Sequence, residues 1–332
     1  MDLPARIRRS LFDTIYTAGA LAAETEYLHA AEFPVRAIRL LVGFAPGSAT
    51  DTVARLLATA MSTHLGVPVV VQNRPGANQM VAIGSLMRSA PDGYTLLMGT
   101  GSSLAQNPAM REGLGYDPLA DLTPVGLVAQ AVGVLAVAPE APLNSLADVV
   151  DHARDQPEAL AYGSSGVGMA NHLAMELLMQ RTGTRMRHVP LKSDAEIGSA
   201  LSAGRVQLGF LTLTSALPLA RSGRIRVLAQ THSGALAALP GVPSIGATGI
   251  AELNALEPFT FFGVVGPRGL AGSLARRLNA AINTCLVSPS MMERLDGVQL
   301  VPVPDDASGF AAHLLAQFAK WREIGRSASF HD

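Results

Sequence analysis

Four stretches of this sequence set small and hydroxyl residues between an apolar run and the start of an amphipathic one. They are "FAPGSATD" (44–51), "GTGSSLAQ" (99–106), "GSSGVGMANH" (163–172) and "FLTLTSAL" (210–217). A helix beginning at such a turn leaves backbone N–H groups unpaired and carries about half a positive charge at that end, so it attracts anions. Hydroxyl side chains add hydrogen bonds, and the chemistry predicted is capture of a small carboxylate. The candidate contacts are Phe44, Gly47, Ser48, Ala49, Thr50 and Asp51 in the first turn, and Gly101, Ser102 and Ser103 in the second. Ser164, Ser165, Gly168 and His172 in the third turn and Thr212 in the fourth complete the set. Small residues at a single turn do no more than permit a tight strand-to-helix connection; the four together favour a site.

Two members carry alternative readings. Asp51 stands three residues after Ser48, the spacing of a capping box, so it either caps the helix or meets a ligand amine or hydroxyl. His172 either packs against its glycine turn or touches the ligand. Enzyme signatures are mostly absent. "GSSGVG" breaks the G-x-S-x-G elbow at Val167, and "GTGSSL" and "GVGMAN" lack the third glycine of a dinucleotide fingerprint. The sequence contains no GxxxxGK[ST] and no HExxH. Ser164 or Ser165 acting with His172 as a serine hydrolase is the minor alternative.

Stepping outward, the 332 residues are 48% hydrophobic and 15% charged with net charge −1, enough chain for two α/β domains. The absence of a basic excess argues against a nucleic-acid partner. The single cysteine, Cys285, cannot form an intrachain disulfide, and no Cys/His cluster is spaced for a metal; a buried structural thiol is expected over a reactive one. No stretch approaches the ~18 uninterrupted apolar residues of a membrane span. Arg6, Arg8 and Arg9 precede "SLFDTIYTAGALAA", the order of a secretory leader. Asp13, Thr14 and Thr17 interrupt its apolar part, so residues 1–32 read equally as a leader or as an ordinary extension.

The elements that must position the turns alternate from residue 36 onward. "AIRLLVGFAP", "VPVVVQNRPGA" and "YTLLMGTGSS" read as strands; "TDTVARLLATAMSTHLG" and "MVAIGSLMRSAP" read as helices. Continuous apolar runs such as "VPVVV" suit parallel strands buried on both faces. The rhythm changes at 121–139, where two strand-like runs leave little room for a helix, and Ser145 with Asp148 repeats the capping-box spacing. A second α/β series follows. The expected organisation is residues 33–130 plus 259–332 as one domain and 131–258 as the other, joined by crossing strands near 131–138 and 259–266.

Segments in a fixed order, among them "APDGYTLLMGT", "NPAMREGLGYDPLADLTPVGLVA", "LAYGSSGVGMANHLAMELL" and "SALPLARSGRIRVLAQT", resemble the Bug-type solute-binding proteins of tripartite tricarboxylate transporters. The matching segments run from about residue 33 to 325. The resemblance implies a type II periplasmic binding fold, a Venus flytrap of two α/β domains, that captures a small carboxylate without chemistry. It implies no cofactor and no metal. Its partners are the membrane permease subunits of the transporter, with the binding protein a monomer in the periplasm. Export of an atypical leader follows from the resemblance; a wrongly assigned start codon or a non-secreted relative is the alternative. A ligand sensor for a signalling partner is the rival function.

Departures from the family bear on the ligand. Gly47-Ser48 replaces Gly-Gly, "GANQ" (76–79) replaces a glycine-rich turn, and Leu191-Lys192-Ser193 replaces "YKG". Met169 and Ala170 stand where the family favours hydroxyls, and Leu211 stands where it has an acid. All three are candidate ligand-binding positions by this resemblance. The loss of polar groups favours a monocarboxylate with an apolar part over a citrate-like tricarboxylate.

Overall fold

The computed structural model describes residues 33–327, apart from 112, 233, 250–252, 254–255 and 257–258. The candidate leader lies outside the described residues. The chain opens with β1 (Ile38–Val42), α1 (Ala49–Leu65), β2 (Val69–Asn73), α2 (Met80–Met87) and β3 (Thr95–Thr100). α1 starts where the Ser48 side chain accepts the Asp51 N–H and stops at Gly66, whose φ of 70° ends the helical path. β4 (Leu122–Ala131) then leads to β5 (Gly133–Val137) in a second sheet, with Val132 alone between them.

The second sheet grows through α3 (Leu146–Asp155), β6 (Ala161–Ser164), α4 (Ala170–Thr182), β7 (Arg187–Pro190) and α5 (Asp194–Ser202). β8 (Leu208–Thr212), α6 (Leu213–Arg221) and β9 (Arg226–Gln230) finish it. The chain returns as β10 (Thr260–Pro267) and ends with α7 (Gly272–Leu286), α8 (Pro289–Gly297), β11 (Leu300–Pro302) and α9 (Ala307–Ser327). The six-stranded sheet has the order β11-β4-β10-β3-β1-β2 and the five-stranded sheet β7-β6-β8-β5-β9.

β1 pairs in parallel with β2 and β3, as the apolar runs predict, and β6 with β7 and β8, but the sheets as wholes are mixed. β10 is buried along its whole length yet runs antiparallel to both β3 and β4. β5, equally buried, runs antiparallel to β8 and β9. A continuous apolar run reports burial on both faces; direction is set by how the chain crosses between sheets.

The two crossings lie side by side, since Thr260 at the start of β10 pairs with Ala131 at the end of β4. Phe259 lies so close to Gly133 that a Cβ there would sit 2.4 Å from its ring, so only glycine fits. The first domain buries Leu40, Val53, Leu57, Leu278 and Ile282 on one face of its sheet and Ile83, Phe261, Phe310 and Leu314 on the other. Cys285 belongs to the first of these cores, and burial pushes its thiol up, as a structural cysteine requires.

α9 forms a third link. Phe310 and Leu314 at its start pack in the first domain, while Trp321 and Ile324 belong to the core cluster that also holds Tyr162, Leu177 and Phe210 of the second. The last turns of the chain therefore share the second core, although the sequence reading places all of 259–332 with the first domain.

Candidate functional site

The β1–α1 turn forms one wall of a cleft, and Asp51 holds it from behind. Its Oδ2 accepts the Gly47 N–H and Arg55 Nε, both at 2.9 Å, and its Oδ1 accepts Asn73 Nδ2 at 2.8 Å. Burial pushes the carboxyl up, but the hydrogen bonds from Arg55, Asn73 and Gly47 outweigh it and hold the group below the ordinary range. Of the two readings of Asp51, the cap describes its position: it does not line the cleft. The first α1 hydrogen bond runs from Thr52 N–H to the Ser48 carbonyl, so the Ala49 and Thr50 N–H groups have no acceptor within the helix. Both residues line the cleft with Phe44, Gly47 and Ser48.

The second candidate turn folds differently from the expected helix start. After β3 the chain makes one π-helical stretch, Ser102–Gln106, whose five residues are all buried. Ser103 turns inward, accepting the Thr100 N–H at 3.1 Å and donating to Gln79 Oε1 at 3.2 Å. Only Ser102 of the three candidates here faces the cleft, joined by Thr100. The Gly101 Cα is crowded by Phe261 and Thr260, which would lie 3.2 Å from a Cβ.

On the second domain one network ties three turns together. Asn171 Oδ1 accepts the Ser165 N–H at 3.0 Å, and Asn171 Nδ2 donates to Asp194 Oδ1 at 3.0 Å. Asp194 Oδ2 accepts both the N–H and the hydroxyl of Thr212, each at 2.8 Å. Burial pushes the Asp194 carboxyl up against these hydrogen bonds.

Beneath the network lies a buried aromatic cluster. Ser164 Oγ stands 2.6 Å from His188 Nε2, and the His188 ring stacks on Tyr162 at 4.9 Å. His172 Nδ1 accepts the Gly168 N–H at 3.3 Å, while burial, then His188 and Arg111, push its pKa down to about 4. His172 therefore supports its turn from inside as a neutral ring. Ser164 has no exposed surface and pairs with His188, not with the His172 of the serine-hydrolase alternative. Leu211 is equally buried, in the core with Ile197 and Ala216, and does not reach the cleft.

The cleft between these walls has a volume of about 470 Å³. Ser165, Met169, Ala170 and Thr212 line its second-domain side, whereas Gly168 lies behind it. Phe259, Thr260 and Phe262 bring the second crossing strand into the lining, which sequence reasoning treated only as a connection. Also missed were Asn78, Asn171, Ser215 and the Lys192–Ala195 turn, which supplies the charged lining side chains, Lys192 and Asp194. A signal for this fifth turn exists: Ser193 and Glu196 have the capping-box spacing, and Ser193 Oγ accepts the Glu196 N–H at 3.2 Å.

A cleft lined by helix starts from two mixed α/β domains, with two strands crossing beneath it, can close on a small anion. The model of the tripartite tricarboxylate transporter family receptor, TctC, matches residues 53–329. The chain belongs to that family. Its relatives include Protein BugT of Bordetella pertussis, 33% identical over 309 residues that span 92% of this chain and 93% of BugT. Among solved structures, R. palustris Rpa4515 with adipate superposes at a TM-score of 0.80 with 32% identity, covering 89% of this chain and 98% of that one. MatC from Rhodopseudomonas palustris with bound malate gives a TM-score of 0.78 at 27% identity, covering 88% and 100%. The fold is thus the periplasmic binding type, and this family and fold are those of solute-binding receptors.

Proposed function

We propose that this TctC-family receptor captures a small carboxylate with an apolar part in the periplasm and delivers it to the membrane permease subunits of a tripartite transporter. The observation that carries the reading is the meeting in one cleft of the α1 and α4 helix starts with Lys192 and an aromatic side formed by Phe44, Phe259 and Phe262. Helix N-termini and the ammonium group favour the carboxylate, and the rings favour an apolar body. The adipate and malate held by relatives support a carboxylate as ligand. Domain closure about the paired crossings follows from the ligand's preference for the closed state.

A thermal-shift screen of carboxylates, followed by calorimetry, tests this. A ligand at a hundred times its Kd stabilises the folded state by about 2.7 kcal/mol, a readily measured shift in Tm. The expected hits are aliphatic or aromatic monocarboxylates. Citrate binding far more tightly than any aromatic acid would refute the proposed ligand class.

A further inference from the structure

Asp194 is the unexpected group in this cleft. An α/β binding site built from helix starts offers each N-terminus to the ligand, yet the residue that opens α6 is already engaged. Thr212, the residue before that helix, gives both its N–H and its hydroxyl to Asp194 Oδ2 at 2.8 Å. The other oxygen takes the amide of Asn171, which is oriented by its acceptance of the Ser165 and His172 N–H groups. Both donors of Thr212 on this wall are therefore satisfied by the chain itself. Phe259, Val167 and Met169 line the cleft without a donor side chain, and Ser193 and Ser215 are the hydroxyls that line it beside Asp194.

We propose that Asp194 is the specificity-determining residue of this cleft: it puts the chain's own carboxyl group where a second ligand carboxylate would bind, and so selects monocarboxylates against dicarboxylates. This rests on the reading of the cleft as a carboxylate site. A dicarboxylate entering here puts its distal group beside another acid that already holds the Thr212 donors. A monocarboxylate loses nothing, because its apolar end meets the rings and methyl groups of the same wall. Lys192, two residues earlier, supplies the cationic side chain of the lining.

The test uses the full chain and length-matched probes, the straight-chain mono- and dicarboxylic acids of four to eight carbons, with Kd values from calorimetry. The wild type is expected to bind the best monoacid at least about tenfold more tightly than its matched diacid. Asp194→Asn and Asp194→Ala are expected to shift the diacid-to-monoacid affinity ratio about tenfold or more toward the diacid. Asparagine keeps an acceptor for Thr212 or Asn171, so it serves where alanine loosens the turn, and the melting curve of each unliganded variant reports folding. A structural role alone would weaken both series together and leave their ratio unmoved. An unchanged ratio in folded variants, or a wild type that prefers diacids, overturns the assignment to Asp194 while leaving carboxylate capture intact. Failure of both series to bind at millimolar concentration overturns the carboxylate reading itself, and this proposal with it.

Discussion

Lowering the pH tests how His172 supports the cleft. Its Nδ1 accepts the Gly168 N–H at 3.3 Å, its Nε2 lies 3.7 Å from Glu176 Oε1, and its ring centroid is 4.6 Å from that of His188. Burial, followed by the charges of His188 and Arg111, takes its pKa from 6.5 to about 4. The unfolded chain accepts a proton at the ordinary histidine value that the folded chain resists. The neutral ring's contribution is therefore complete above about pH 6.5 and is lost as the pH falls toward about 4. Between about pH 7 and pH 5 this single group removes about 2 kcal/mol of stability. Protonation also ends the bond to Gly168, because an imidazolium nitrogen has no lone pair to offer. The assay is urea unfolding of the wild type and His172→Asn at both pH values. Asparagine Oδ1 can still accept the Gly168 N–H but does not titrate. The wild type is expected to lose about 2 kcal/mol more than the variant. Equal losses in both proteins, within about 0.5 kcal/mol, would refute the buried neutral histidine.

Two substitutions probe the walls. Asp51→Ala removes the carboxylate that accepts the Gly47 N–H, Arg55 Nε and Asn73 Nδ2 around the start of α1, so it should cost about 1–2 kcal/mol. The urea midpoint measures this, and a change below about 0.5 kcal/mol would show that the cap does not hold the turn. Gly168 has a φ of +78°, and a Cβ there would lie 2.4 Å from Oδ1 of Asn107, the residue that follows the first domain's π-helical segment. Gly168→Ala is thus strained in its backbone and crowded by its neighbour, and should lower stability by about 1–3 kcal/mol. A melting temperature matching the wild type would mean that the turn does not need its left-handed residue.

Local chemistry by itself determined the alternation of strands and helices, the starts of α1 and α3, and much of one cleft wall. Ser48 and Asp51, or Ser145 and Asp148, cap their helices through contacts three residues apart, and any such spacing is written in the chain. The family resemblance was legible for the same reason, as ordered segments. What lay beyond reach depends on residues distant in sequence. Ser48, Ser102 and Ser165 face one cleft while Ser103, Ser164 and Leu211 turn away from it, and only packing against Gln79, His188 and Ile197 decides which. Asp194 reads in the sequence as an ordinary acid in the first turn of a helix. The fold carries it 18 residues along the chain to the start of α6, where Thr212 fixes it in the wall. The direction of β5 and β10 and the reach of α9 into both cores likewise follow from the crossings, because burial shapes the residue pattern while topology chooses the partner.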